Sequence, residues 1–329
     1  MNMDIEYSVI IRTTGNAQEK YHRLLSSIKQ LDPSPYETIV VLPNGSKKPK
    51  QSSLNEKYYF CEKGMIRQRL YGIERCKTRY ALICDDDVVF NSDFVKKLYE
   101  PIAQQKCSFS AGPLYSFLPP KGVNAVFSAF ILNAVPTIFH RNRYVSIISS
   151  GGYSYNRHLG TSKFYETQSV AWTCFFADLK AFQCIDFDQE VWLDSHGYSS
   201  LDDQTMFYKA WIRGLKTVVV SDAYYEHLDA RTSLINNNQN AMFSLSFNRV
   251  VFWHRFIFTQ KKNIFFKGVS YITFHYRLLC LHLLDVLNVK RGRLTTQDLL
   301  ISKEGAKSAF KYIKSSAYRS LSPVNEVQI

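Results

Sequence analysis

Short β-branched runs alternate with helical patterns through the first 85 residues, and that alternation restricts the fold more than any other feature of the chain. SVIIRTT (8–14) is a compact apolar run ending in polar residues, and a helical pattern follows from Ala17 to Leu31, where Pro33 stops it. TIVVLPN (38–44) repeats the strand signal, and KKPKQSS (47–53) reads as a loop. GMIRQRLYGIERC (64–76) reads as a helix, and Tyr80 to Cys84 as the next strand. Strands joined through helices predict an α/β layer with a mostly parallel sheet, whose ligands collect outside the C-terminal ends of the strands.

ALICDDDVVF (81–90) places three consecutive carboxylates, Asp85, Asp86 and Asp87, at such an end. Adjacent like charges repel, and near low-dielectric surroundings the repulsion is relieved only by a cation or by protonation. Two readings remain open here: a cradle for a positive ion, or solvated acids capping the helix that follows.

From about 108 to 170 the pattern loosens, with Pro and Gly punctuation, and the apolar run 125–139 is too short to span a bilayer and reads as core or as a wall on the acceptor side. SVAWTCFFA (169–177) is a strand candidate, Leu201-Asp202-Asp203 opens a helix running to about Arg213, Gly214 closes it, and TVVV makes another strand. The Asp202-Asp203 pair alone fits an N-terminal cap. His227, after TVVV and at the same sheet edge, changes the balance, because carboxylates with an imidazole suit Mn²⁺ or Mg²⁺ and leave positions open for phosphate oxygens. Trp192, Gly197 and Tyr198 are candidates for a binding wall beside the pair.

These elements resemble a family 2 glycosyltransferase of the GT-A fold, over about residues 6 to 232. Arg69-Leu70-Tyr71-Gly72 stands at the family's R-N-x-G place, and a step of sixteen residues from that Arg arrives at Asp85. The resemblance implies that Asp85-Asp86-Asp87 is the D-x-D motif, with Asp85 near the ribose and the metal and Asp87 on the metal. It implies that Asp202-Asp203 is the catalytic pair, with Asp203 the better candidate for the base, and that His227 is a third metal ligand. Thr13, Asn44, Arg69, Asp85 and Asp86 are the donor-binding candidates, and Arg67 could add charge near the phosphates or lie on a solvated face. Where family members commonly carry an acid that contacts the nucleobase, this chain has Leu42-Pro43-Asn44, and Leu70 replaces the usual Asn. The implied activity is metal-dependent, inverting transfer from a nucleoside-diphosphate sugar, a UDP-sugar first, to a saccharide or lipid-linked acceptor in bacterial polysaccharide synthesis.

Charge completes the reading. Residues 231–329 hold 15 Lys and Arg against 4 Asp and Glu, while the preceding part carries 26 against 24. The basic region is interleaved with aromatic and aliphatic residues, which fits either an anionic membrane surface or an amphipathic helix packed on the body. The expected organisation is a catalytic domain over 1–232, with a nucleotide-binding half (1–107) and an acceptor half (108–232), then a helical extension over 233–329. Seven scattered cysteines without a C-x-x-C pair, and a start lacking an apolar signal segment, predict a cytoplasmic protein, peripheral at the membrane face. A metal-dependent nucleotidyltransferase or phosphohydrolase would need a phosphate-cradling glycine loop that RTTGNAQ does not supply. A nucleic-acid-binding protein would bring its basic charge and aromatic platforms together without an acidic centre, so no nucleic-acid partner is expected.

Overall fold

The computed structural model describes residues 5–49, 54–119, 122–137, 142–160, 162–228 and 238–325. The expected domain boundary at 232/233, and residues 50–53 of the expected loop, lie outside them.

The strand and helix patterns of the first 85 residues condense into β1 (Tyr7–Arg12), α1 (Glu19–Lys29), β2 (Glu37–Pro43), β3 (Lys57–Cys61), α2 (Met65–Arg75) and β4 (Tyr80–Asp85). There follow β5 (Val88–Phe90), α3 (Phe94–Ala103), β6 (Phe109–Ala111), and α4 (Val123–Phe127), which runs on as a π-helical turn over Ser128–Leu132. Short strands β7 (Ala134–Pro136), β8 (Val145–Ile147) and β9 (Tyr153–Tyr155) form a separate small sheet. The chain returns to the body through β10 (Phe164–Thr167), β11 (Cys174–Asp178), α5 (Leu179–Gln183), α6 (Asp202–Ile212), β12 (Thr217–Val220) and β13 (Tyr225–His227). Helices α7 (Asn238–Phe252), α8 (Ile264–Lys290), α9 (Thr296–Tyr312) and α10 (Ser316–Arg319) complete it, α7 continuing into a π-helical turn over Trp253–Phe258.

The main sheet runs in the order β10-β12-β6-β11-β4-β1-β2-β3. β1 to β4 are mutually parallel, β6 and β12 are parallel to each other, and β11 is antiparallel to both β4 and β6. Every residue of β1 is buried, and alternate side chains serve opposite faces: Val9 and Ile11 join the core under α1 and α3, while Ile10 joins the core under α2 and α6. The order β2-β1-β4 puts a topological switch beside β1, where an α/β sheet opens a crevice for ligands.

Glycine sets the depth of α2 on this sheet. A Cβ at Gly72 would stand 2.5 Å from Cγ2 of Ile10 and 3.1 Å from Cγ2 of Val41, so only glycine permits this approach. Asp194 fixes the other end of the helix by accepting the amides of Met65 at 2.9 Å and of Ile66 and Arg67 at 3.1 Å. Among the described residues no helix is long and apolar enough to cross a membrane.

Candidate active site

β1 and β4 end side by side, and their register pairs Arg12 with Asp85. Arg12 Nε donates to Asp85 Oδ1 at 3.0 Å. Arg69, one turn before Gly72 on α2, donates through Nη2 to the same oxygen at 2.9 Å and through Nη1 to Asp202 Oδ2 at 2.8 Å. Its guanidinium also lies 4.5 Å from the ring centroid of Trp172. One buried arginine therefore ties the first acidic cluster to the second, which is 117 residues away in sequence by the numbering of Asp85 and Asp202.

The other acids occupy distinct surroundings. Thr13 Oγ1 donates to Asp86 Oδ2 and accepts the Gly15 amide at 2.9 Å. Burial raises the Asp86 carboxyl to about 6 against the opposing pull of Arg12 and Thr13, and the charges of Asp87 and Asp85 add to the rise. Asp87 meets His227, whose Nε2 lies 3.3 Å from Asp87 Oδ1. The antiparallel pairing of β13 with β5 makes this contact, extended by the Leu228 amide donating to the Asp87 carbonyl at 2.7 Å.

Asp202 and Asp203 open α6 after Leu201, which sits in the left-handed region at φ 66°. Asp202 is committed to Arg69 and to the Asp203 amide, which donates to its Oδ1 at 3.0 Å. Asp203 accepts the Gln204 amide at 2.7 Å, and burial together with the Asp202 charge pushes its carboxyl up to about 7. It borders two cavities. One, of about 390 Å³, contains the three aspartates of the first cluster, Arg12, Arg69 and His227. The other, of about 330 Å³, is walled by Leu114, Phe117, Tyr144, Tyr153 and Val170.

Five carboxylates thus face two guanidiniums in the first cavity, an excess of negative charge that a divalent cation would offset. Asp87 and His227 would supply oxygen and nitrogen donors, although among the described residues no three such side chains converge into a complete protein cage. That set fits an ion whose remaining positions are taken by ligand oxygens. Arg69 Nε and Trp172 Nε1 are buried donors without a partner among the described residues, as suits a site that receives an anionic ligand.

Of the residues singled out from sequence, Asp85, Asp86, Asp87, Arg69, Asp202, Asp203 and His227 all line the first cavity, and Thr13 stands behind Asp86. Asn44 is exposed at the end of β2, its amide donating to the Cys61 carbonyl at 2.7 Å, and it does not line the cavity. Arg67 is exposed and paired with Glu62. Tyr198 lines the cavity, whereas Trp192 is buried, donating from Nε1 to Glu190 at 2.6 Å. Arg12 is a functional residue that the sequence alone did not single out, and a charged residue closing a mostly apolar strand was its available signal.

Such an α/β fold opens its crevice at the ends of parallel strands, the place where enzymes of this architecture take their ligands. Residues 8–157 match the family model described as Glycosyl transferase family 2, and the chain is a glycosyltransferase carrying a domain of that family. A crystal structure of S. aureus TarS residues 1–349 in complex with UDP-GlcNAc is similar at 14% identity, covering 93% of this chain and 81% of that one with a TM-score of 0.50. A structure of GalNAc-T7 with UDP, GalNAc and Mn²⁺ is 12% identical over 83% of this chain and 56% of that one, with a TM-score of 0.48. The fold is GT-A. No curated protein matches the chain.

Proposed function

We propose that this glycosyltransferase is metal-dependent and inverting, and that it moves a sugar from a nucleoside diphosphate, UDP first, to a hydroxyl of a saccharide or lipid-linked acceptor in bacterial polysaccharide synthesis. The observation that carries the reading is the position of Asp203 at the border of two cavities, one acidic and one lined by a mixture of aromatic, aliphatic and polar side chains. The donor takes the first and the acceptor the second. Asp87 and His227 would hold Mn²⁺ or Mg²⁺, which when bound would neutralise the charge growing on the departing diphosphate. Arg69 and Arg12 keep Asp85 and Asp202 paired, so that Asp203 remains the carboxylate able to accept a proton. The acceptor oxygen attacks the anomeric carbon as its proton passes to Asp203, and the bond to the diphosphate breaks on the opposite face. A single displacement inverts the configuration. The region 1–232 is read as the catalytic domain, and the basic region beyond it as its attachment to an anionic membrane surface at the cytoplasmic face.

The test compares Asp203→Asn with wild type. Donor affinity by calorimetry with Mn²⁺ should stay within about threefold, while turnover falls by about 10² to 10⁴. Turnover preserved in Asp203→Asn but lost in Asp202→Asn would assign the base to the other member of the pair.

A further inference from the structure

The outer face of α8 is apolar without interruption. Every exposed position from Ile264 to Leu287 is aliphatic, aromatic or glycine. Phe265, Val269, Ile272, Tyr276, Leu279 and Leu283 recur at intervals of three and four, one stripe of a helix, and Leu287 prolongs it to roughly 33 Å at 1.5 Å per residue. Within this stretch Arg277 is buried and Asp285 accepts from Ser302 Oγ at 3.2 Å, while the half-buried Lys267 stands in its first turn.

A second patch continues the face. Over its described residues the run 125–139, expected as core or acceptor wall, gives Ala134 to the core but exposes Val126, Phe127 and Phe130, with Val123 just ahead of it. Its helical part meets α8, Tyr276 Oη donating to the Phe130 carbonyl at 3.1 Å, before the run enters β7 of the small sheet. A contiguous apolar surface of this extent marks an interaction site.

Charge selects the occupant. Lys261, Lys262 and Lys267 stand at one end of the stripe, Lys290, Arg291 and Arg293 at the other, and among the described residues none makes an ion pair. A second copy of this chain, laid parallel or antiparallel along α8, would bring cations against cations. An anionic leaflet accepts both ends.

We propose that α8 lies in the plane of an anionic bilayer, its apolar face and the α4 turn sunk below the headgroups and its basic ends at headgroup level, so that attachment is insertion and not charge contact alone. This deepens the membrane reading above and rests on it.

Flotation of the full chain with vesicles of phosphatidylcholine, with and without phosphatidylglycerol, tests the proposal. Wild type should float with the anionic vesicles and stay bound through a high-salt wash. Ile272→Glu with Leu279→Glu, both on exposed positions, should reduce flotation by about tenfold or more while the circular dichroism is unchanged. The proposal is overturned if the double variant floats like wild type, if wild type floats with neither vesicle, or if high salt releases it completely. It is also overturned if light scattering finds a dimer that the variant dissociates, which would make the face a self-interface. Donor turnover measured in the same preparations reports the catalytic reading separately.

Discussion

Burial of Asp203 and Asp86 links proton binding to stability in the cleft where the proposed metal would sit. Both carboxyls sit above their ordinary range, at about 7 and about 6, first because burial disfavours the charge and then because neighbouring aspartates repel it. An acid whose pKa is higher in the folded chain binds its proton more tightly there, so these groups favour folding at low pH and progressively less as pH rises from about 4 to about 7. A cation competes with those protons. The gain in melting temperature on adding Mn²⁺ should therefore be a few degrees near pH 8 and close to none near pH 5. An equal gain at both, read by thermal shift, would remove the metal from the cleft. Turnover should fall about tenfold per pH unit below about 7, since the base must be ionised.

At the scale of elements, α2 matters through its depth. Gly72→Ala must push the helix off Ile10 and Val41, and overpacking of this kind destabilises by about 1–3 kcal/mol, offset by up to about 1 kcal/mol of helix propensity. Arg69 is carried with the helix, so donor affinity should weaken along with stability. Urea unfolding and calorimetry on the same variant check both, and unchanged donor affinity would separate helix depth from the cleft. The parallel part of this sheet was legible because β1, β2 and β4 are mostly apolar runs closed by polar residues, and α6 because two acids open it and a glycine follows it. The antiparallel β11 was not, since a strand buried on both faces reads the same in either direction. Within the site, the first three acids and His227 stood out at strand ends and Asp202-Asp203 at a helix start, whereas the role of Arg69 in joining Asp85 to Asp202 depends on two chain segments meeting and leaves no local mark. Trp192 misled for the same reason: its partner Glu190 is visible as a partner only once both are buried.

Across the whole molecule, the C-terminal helices are anchored to the α/β body through buried charge. Glu190 accepts from Lys209 Nζ on α6 at 2.7 Å and from Arg255 Nη2 at 2.9 Å, and Arg255 in turn holds the Ser322 carbonyl at 2.9 Å. Glu190→Gln would leave two buried cations around a neutral amide, a loss of about 3–5 kcal/mol. Arg255→Met leaves Glu190 and Lys209 paired and should be the milder change. Equal denaturation midpoints for the two would mean that charge balance does not govern the junction. The uncharged outer face of α8 has a further consequence at this scale. An enzyme seated by that face encounters a lipid-borne acceptor by lateral diffusion, so its rate follows the number of acceptors per unit area of leaflet. Spreading a fixed amount of such an acceptor over more lipid would then slow the reaction with every bulk concentration of enzyme, acceptor and donor held constant.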